Sequence, residues 1–119
     1  MALAAAVQGD GFNVWGTIPI ARVTLTPGTG DYLAGGYILN GKQFNLGSTG
    51  GPAGNGIRGV IFTGGNTATL GFVPFYNQQT GAFQILVTGT ASGDALNEVA
   101  NAGNPAGGVW YAVILGESE

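Results

Sequence analysis

Histidine and cysteine are absent from this chain, and its charged side chains are few and scattered. The absence of cysteine excludes a disulfide scaffold and leaves the redox compartment open. The absence of histidine removes the usual general base of nucleophilic catalysis. Of the six carboxylates, Asp94 and Glu98 fit the solvated face of a short helix better than a catalytic pair. The sequence therefore predicts no enzyme, no metal site and no cofactor.

Charge is the scarcest property, at 8% of the residues against about 25% in an average domain. The three basic residues, Arg22, Lys42 and Arg58, stand singly, which argues against a nucleic-acid partner. No stretch approaches the roughly 20 apolar residues of a membrane helix, and the apolar segment 2–7 is too short for the core of a signal peptide. Because a monomer normally needs charge to stay apart from its copies, the chain is predicted to contact other protein, with neither nucleic acid nor membrane as a partner.

Glycine is abundant, with 24 residues in a chain of 119. A glycine inside a helix or strand costs roughly 0.5–1 kcal/mol relative to alanine. Most of these glycines are therefore expected in turns and bulges, and contacts with other subunits are expected to add stability.

The apolar residues are mainly β-branched or aromatic and lie in short runs between turn signals, a pattern typical of a β-sandwich or barrel. The predicted strands are residues 17–26, 37–39, 42–46, 57–63, 70–76, 82–88 and 108–115. Residues 94–100 fit either the only helix or a turn with a short strand. The predicted fold is all-β: one jelly-roll-like sandwich or barrel of about seven or eight strands over residues 12–119, preceded by an N-terminal arm, residues 1–11.

Local signals set the predicted connections. Asn40-Gly41 is a preferred two-residue hairpin turn, so residues 42–46 are expected to return as a strand. The glycine-rich stretch 47–56 predicts a surface loop, because it lacks the lysine and hydroxyl residue of a phosphate-binding loop. Residues 70–76 and 82–88 flank a polar five-residue loop and give the clearest hairpin signal, and Pro74 marks an edge strand or a bulge.

The last predicted strand is apolar on both faces. Trp110, Ala112 and Ile114 point to one side, and the residues between them are apolar as well. Both faces of such a strand are expected to be covered, one by the core and the other by an opposite sheet edge or by another subunit.

Two segments and two side chains are candidates for a protein interface. The N-terminal arm is apolar with nothing local to pack against, Trp15 stands among glycines, the glycine-rich loop is long, and Trp110 is a large aromatic residue in the last strand. The candidate contact residues are Leu3, Val7, Trp15, Gly50, Gly51, Pro52 and Trp110.

Residues 71–76, the polar turn and residues 82–87 resemble the late hairpin of small structural proteins of tailed bacteriophages. Residues 35–37 and 109–116 are similar as well. That group includes capsid decoration (cement) proteins with jelly-roll or related folds, which dimerise or trimerise on the capsid. The resemblance implies a virion structural protein, made in the host cytoplasm, that forms a homo-oligomer on the capsid surface. It also implies the major capsid protein as partner, with contacts between capsid subunits stabilised by the chain.

Two alternatives remain open at this point. One is a tail or fibre component of the same virion. The other is a carbohydrate-binding β-sandwich module that uses Trp15 or Tyr76 as a stacking platform.

Overall fold

The computed structural model describes residues 3–15, 18–88 and 96–117, with residues 8–15 and 88 described by their backbone alone. These ranges contain eight strands and two short 3₁₀ helices. The strands are β1 (Leu3–Trp15), β2 (Ile18–Pro27), β3 (Tyr37–Ile38), β4 (Ile57–Gly65), β5 (Phe72–Asn77), β6 (Ala82–Thr88), β7 (Leu96–Glu98) and β8 (Trp110–Gly116). The 3₁₀ helices span Gly41–Phe44 and Thr67–Thr69. No helix in the described ranges is long and apolar enough to cross a membrane.

The strands form two antiparallel sheets of four strands each. The first sheet has the order β1-β2-β8-β4, so the last strand lies between two earlier ones. In the second sheet β6 is central, with β5 on one side and both β3 and β7 on the other. The all-β prediction is confirmed, and of the two predicted architectures the sandwich is the one observed.

The core lies between the two sheets and follows from the alternation of the strands. In β2 the inward residues are Ala21, Val23 and Leu25, all fully buried, while Arg22 between them is exposed. In β8 the buried residues are Trp110, Ala112 and Ile114. Phe83 of β6 closes the core from the second sheet, with its ring centroid 5.5 Å from that of Trp110, 5.7 Å from that of Phe62 and 6.0 Å from that of Tyr37.

Within the described residues, the second covering predicted for the last strand is incomplete. Tyr111, on the face of β8 that points away from the core, is 37% exposed, and Val113 and Leu115 are half-buried. Only the inward face of β8 therefore belongs to the core.

The N-terminal segment predicted as an arm is instead the start of β1. Residues 3–7 pair with residues 23–27 of β2, and a register shift follows between Val7 and Phe12. The pattern Leu3, Ala5, Val7 alternates with exposed alanines, and these three side chains pack partly buried against the core. The sequence prediction missed this strand because its alternation is carried mostly by alanine, which has low strand preference.

The strand predicted over residues 42–46 is wrong. Asn40 begins the first 3₁₀ helix: its side chain accepts from the Lys42 amide at 2.9 Å, and the Gln43 side chain accepts from the Asn40 amide at 2.8 Å. This reciprocal capping satisfies amides that a hairpin would have paired across strands. Phe44 and Leu46 then turn into the core, where both are buried.

Of the two predictions for residues 94–100, the short strand is the one observed in the described part. Residues 94 and 95 lie outside the described residues, while Leu96–Glu98 form β7 and pair with β6. The Val99 amide extends this ladder by donating to the Ile85 carbonyl at 2.9 Å.

The glycine-rich stretch 47–56 lacks regular structure and is exposed over residues 48–52, as a surface loop predicts, but its two ends are tightly packed. The amides of Gly47 and Glu117 donate to the carbonyls of Glu117 and Gly56, at 2.7 and 2.9 Å, so the end of β8 holds both ends of the loop. Gly56 has φ +82°, and a Cβ added there would lie 1.7 Å from the Gly47 carbonyl oxygen. A residue with a side chain is therefore excluded at position 56 by both its conformation and its surroundings.

Tyr32 joins the loop after β2 to the loop before β8. Its amide donates to the Asn104 side chain at 3.1 Å, and its carbonyl accepts from the Ala102 amide at 2.7 Å. Its hydroxyl donates to the Glu98 carboxylate and accepts from the Ile85 amide at 3.3 Å. The side chain is fully buried, so these bonds tie together segments more than 50 residues apart in sequence.

Candidate interaction surface

Exposed apolar side chains are concentrated along β4, β5 and the segment that connects them. Of the eight large apolar side chains that the described part of the chain leaves exposed, four lie between residues 61 and 75. These four are Ile61 at 52% exposure, Leu70 at 76%, Val73 at 39% and Phe75 at 45%. Together with the cleft between β4 and β5 described below, they are called the β4–β5 surface.

Strand geometry explains why these side chains point outward. Phe72, Pro74 and Tyr76 of β5 face the core, so Val73 and Phe75 between them face away from it. Ile61 pairs with Val113 on the outer face of the first sheet. Leu70 follows the second 3₁₀ helix. Ile61 thus points outward from the first sheet, whereas Val73 and Phe75 point outward from the second sheet, on the opposite face of the sandwich.

A cleft of about 550 Å³ opens between β4 and β5. Phe62, Phe72 and Trp110 give it an aromatic lining, and Trp110 is only 2% exposed there. The remaining lining residues are Thr63, Gly64, Gly65, Asn66, Thr69, Leu70, Gly71 and Pro74. None of these lining residues is charged, so the cleft suits an uncharged group.

The polar side chains of the cleft are already engaged within the chain. The Asn66 side chain donates to the Gly107 carbonyl at 2.9 Å and accepts from the Val109 amide at 3.1 Å. The Thr69 hydroxyl donates to the Asn66 carbonyl at 2.7 Å, and the Thr63 hydroxyl to the Tyr111 carbonyl at 3.2 Å. In the described part of the chain, no buried side-chain nitrogen or oxygen lacks a partner. The hydrogen bonds of Thr63, Asn66 and Thr69 therefore hold the wall of the cleft together.

Both strands beside the cleft are poor templates for a further strand. β4 is an edge of the first sheet and carries register shifts after Ile57 and after Phe62. β5 is an edge of the second sheet and contains Pro74, which has no amide hydrogen to donate. Bulges and prolines of this kind disfavour edge-to-edge pairing of sheets. A partner on this side is therefore expected to make side-chain contacts.

The β4–β5 surface is also electrically neutral. Residues 59–93 contain no Asp, Glu, Lys or Arg. Arg58, just before this run, pairs with Glu117, with its Nη2 3.3 Å from Oε1. The hydrogen bond to Glu117 raises the pKa of Arg58 further above its usual range. A charged partner would therefore meet no like charge on this surface.

A cluster of tyrosines and carboxylates lies at the edge of the second sheet opposite β5, beside β3 and β7. The Tyr37 hydroxyl donates to Asp31 at 2.6 Å, and Glu98 accepts from the Tyr32 hydroxyl and from the Gly35 amide, the latter at 2.9 Å. Burial, followed by these hydrogen bonds, raises the pKa of both tyrosines well above its usual range. Both tyrosine side chains are therefore neutral at physiological pH, and the hydrogen bonds of the cluster hold loops together. The described residues contain no group of three or more potential metal ligands.

The structure does not bring the sequence-predicted contact residues onto one surface. Leu3 and Val7 lie in β1, at the opposite edge of the first sheet from β4, and pack partly buried on the core. The backbone of Trp15 ends β1, and its side chain lies outside the described residues. Trp110 is buried at the base of the cleft. The loop residues of the prediction, Gly50, Gly51 and Pro52, are exposed near the end of β8.

Ile61, Leu70, Val73 and Phe75 were missed as candidates because each belongs to a strand pattern that also fits a core. The uncharged run 59–93 marks the segment that contains them but does not distinguish them from its core residues. Tyr76, considered as a sugar-stacking platform, is only 8% exposed, and its hydroxyl accepts from the Asn55 side chain at 2.9 Å.

No family model, curated protein or solved structure matches this chain. Its function is therefore inferred from its own residues and their geometry.

Proposed function

We propose that this chain is a virion structural protein that decorates a bacteriophage capsid and stabilises contacts between major capsid subunits. The observation that carries the proposal is the β4–β5 surface, an uncharged apolar side on a sandwich that already has a packed core. Exposed apolar patches of this kind mark surfaces that bind other proteins.

Covering part of this surface contributes binding energy. Val73 and Phe75, which share the outer face of the second sheet, together present about as much apolar surface as one whole side chain. Burying a large apolar side chain contributes about 1.5–3 kcal/mol, so covering that face is worth roughly this amount per copy. Repeated over the many equivalent positions of a symmetric shell, that contribution strengthens each junction it spans.

The capsid, among possible assemblies, is supported by the resemblance of the β5–β6 hairpin to those of tailed-phage structural proteins. That hairpin carries Val73 and Phe75, two of the four exposed side chains. The residues that carry the resemblance are thus also ones available for contact.

The test measures binding of the purified protein to capsid shells that were assembled without this chain. Purified protein is expected to cosediment with such shells to saturation, and cryo-electron microscopy is expected to place it at junctions between capsid subunits. Phe75→Ser should weaken binding at least tenfold, because it removes an exposed ring from the surface.

Leu33→Ser serves as the matched control, since Leu33 is 48% exposed but lies outside the β4–β5 surface. Absence of binding to the shells, or a location on the tail, contradicts the proposal. Equal weakening by both variants contradicts the assignment of the surface.

A further inference from the structure

Two Asn-Gly dipeptides, Asn40-Gly41 and Asn55-Gly56, pack against each other in the fold. The Gly41 amide donates to the Asn55 carbonyl at 2.8 Å, and the Asn55 side chain donates to the Leu39 carbonyl at 3.0 Å. We propose that Asn55-Gly56 is a site of spontaneous deamidation that the closed glycine-rich loop, residues 47–56, protects. Once the loop has opened, the reaction prevents it from closing again. This inference is independent of the proposed capsid contact, since these residues lie outside the β4–β5 surface.

The chemistry needs an asparagine followed by a residue whose backbone nitrogen can reach the asparagine side chain. The Gly56 nitrogen attacks the side-chain amide carbon of Asn55, so that a nitrogen–carbon bond forms and the bond to the side-chain nitrogen breaks. That nitrogen leaves as ammonia with the proton of the attacking amide. Water then opens the five-membered succinimide ring to aspartate or to isoaspartate. Glycine favours the attack because it has no Cβ and adopts a wide range of backbone conformations.

In the closed loop, hydrogen bonds hold both reacting groups. The Gly56 amide donates to the Gly50 carbonyl at 2.9 Å, so the attacking nitrogen is engaged. The Asn55 side chain is only 9% exposed, and it also donates to the Tyr76 hydroxyl at 2.9 Å and accepts from the Ile57 amide at 3.2 Å. Groups held in this way react from a locally opened state, so the rate of deamidation follows the free energy of opening.

The products cannot restore the closed loop. The Asn55 side chain donates to two oxygen atoms, and a carboxylate donates to neither, so aspartate would place a buried charge beside the Leu39 carbonyl. Isoaspartate lengthens the backbone by one methylene next to Gly56, where even an added Cβ would lie 1.7 Å from the Gly47 carbonyl oxygen. Either product therefore opposes closure.

The first experiment follows deamidation of the full chain by peptide mass spectrometry. The protein is incubated in mildly alkaline buffer, once folded and once unfolded in guanidinium chloride. Deamidation at Asn55 is expected to be at least about tenfold slower in the folded protein. Tyr76→Phe removes one acceptor of the Asn55 side chain and should accelerate the reaction of the folded protein several-fold.

Asn104→Ala is the matched control for Tyr76→Phe. The Asn104 side chain bonds backbone groups of the loop after β2 and none of the residues around Asn55. Urea unfolding gives the loss of global stability of each variant. For the same loss, Tyr76→Phe should accelerate deamidation at Asn55 more than Asn104→Ala does.

The second experiment introduces the product by substitution. Asn55→Asp is expected to lower the equilibrium constant for folding roughly 10- to 100-fold, because it removes a buried donor from the Leu39 carbonyl. Asn40→Asp is the matched control. The Asn40 side chain accepts from the Lys42 amide at 2.9 Å, and a carboxylate accepts the same bond, so the constant should stay within about threefold.

The natural chain gives a second measurement that needs no variant. After partial deamidation in guanidinium chloride and transfer to native buffer, the refolded fraction should be depleted in chains that are modified at position 55. Refolded and unrefolded fractions are separated by size-exclusion chromatography and compared by peptide mass spectrometry.

The outcomes decide each part of the inference. Equal rates at Asn55 in the folded and the unfolded chain overturn the protection, and no deamidation in either overturns the site. Equal acceleration by Tyr76→Phe and Asn104→Ala, at equal loss of stability, overturns the control by the loop. Unchanged folding of Asn55→Asp, or equal modification of both fractions, overturns the effect on closure. None of these results bears on binding to shells, which is measured separately.

Discussion

Replacing Tyr32 by phenylalanine is expected to destabilise the fold more than its single missing oxygen suggests. The Tyr32 hydroxyl donates to Glu98 and accepts from the Ile85 amide, and the side chain is fully buried. Loss of a hydrogen bond to a carboxylate costs about 1.5–3 kcal/mol, and a buried amide left without a partner about 1–3 kcal/mol. Because Glu98 keeps the Gly35 amide as a donor, we expect a total of about 2–4 kcal/mol.

That loss is a large part of the stability of a small domain, which is about 5–15 kcal/mol. Urea unfolding followed by tryptophan fluorescence measures it directly, since Trp110 is buried in the same core. A melting temperature lower by roughly 10 °C is expected alongside. Tyr111→Phe is the matched control: the same atom is removed from a tyrosine that is 37% exposed, and the change should stay within about 0.5 kcal/mol.

A double-mutant cycle identifies the bond responsible. In a Glu98→Gln background, Tyr32→Phe is expected to cost less than in the natural chain, because part of the interaction has already been weakened. A loss below about 0.5 kcal/mol for Tyr32→Phe alone would refute the reasoning, as the hydroxyl would then be bound no better than in the unfolded chain.

Three further predictions concern pH, glycine and the loop after β7. Since the folded pKa values of Tyr32 and Tyr37 lie above the unfolded value of 10.0, stability should be full below pH 10 and fall above it. The free energy of unfolding should then fall by up to about 1.4 kcal/mol per pH unit for each tyrosine. Urea unfolding between pH 8 and 11 measures this slope, and Tyr32→Phe should reduce it. Gly56→Ala, with its Cβ 1.7 Å from a backbone oxygen, should prevent folding as seen by circular dichroism, while Gly54→Ala, with open space around its Cβ, should cost only about 1 kcal/mol. Asn104→Ala should lower the free energy of unfolding by about 1–3 kcal/mol, because its buried side chain bonds two backbone groups of the loop after β2.

The strands with strong alternation could be predicted from the sequence, and those held by tertiary contacts could not. The β5–β6 hairpin was predicted to within two residues at each end, because apolar runs flank a polar loop whose Asn77 side chain accepts from the Gln79 amide at 3.0 Å. β1 was missed because its alternation is carried mostly by alanine, which has low strand preference. The turn at Asn40 was misassigned because the same dipeptide serves a hairpin or a cap, and the Gln43 side chain decides between them.

The residues of the candidate interaction surface could not be predicted from the sequence. Low charge pointed to protein contacts, which stay a prediction, and the candidates chosen lie mostly at the far sheet edge, in the core or near the end of β8. Whether Trp110 faces solvent or the interior depends on which residues of β2 and β4 lie beside it, and a single strand does not encode that. Leu70 stands out only when the cleft beside it is known.

The packing of the glycine-rich loop has a practical consequence for anyone who fuses a tag or a displayed peptide to this protein. By composition, residues 47–56 look like the natural place for an insertion, yet Gly51 and Gly56 lie close to other backbone and both ends of the loop are held by the end of β8. The β5–β6 turn at residues 78–80 is exposed throughout and joins two strands that pair along their whole length. An inserted peptide is therefore better carried at Gln79, where additional chain can leave the surface without displacing a packed backbone.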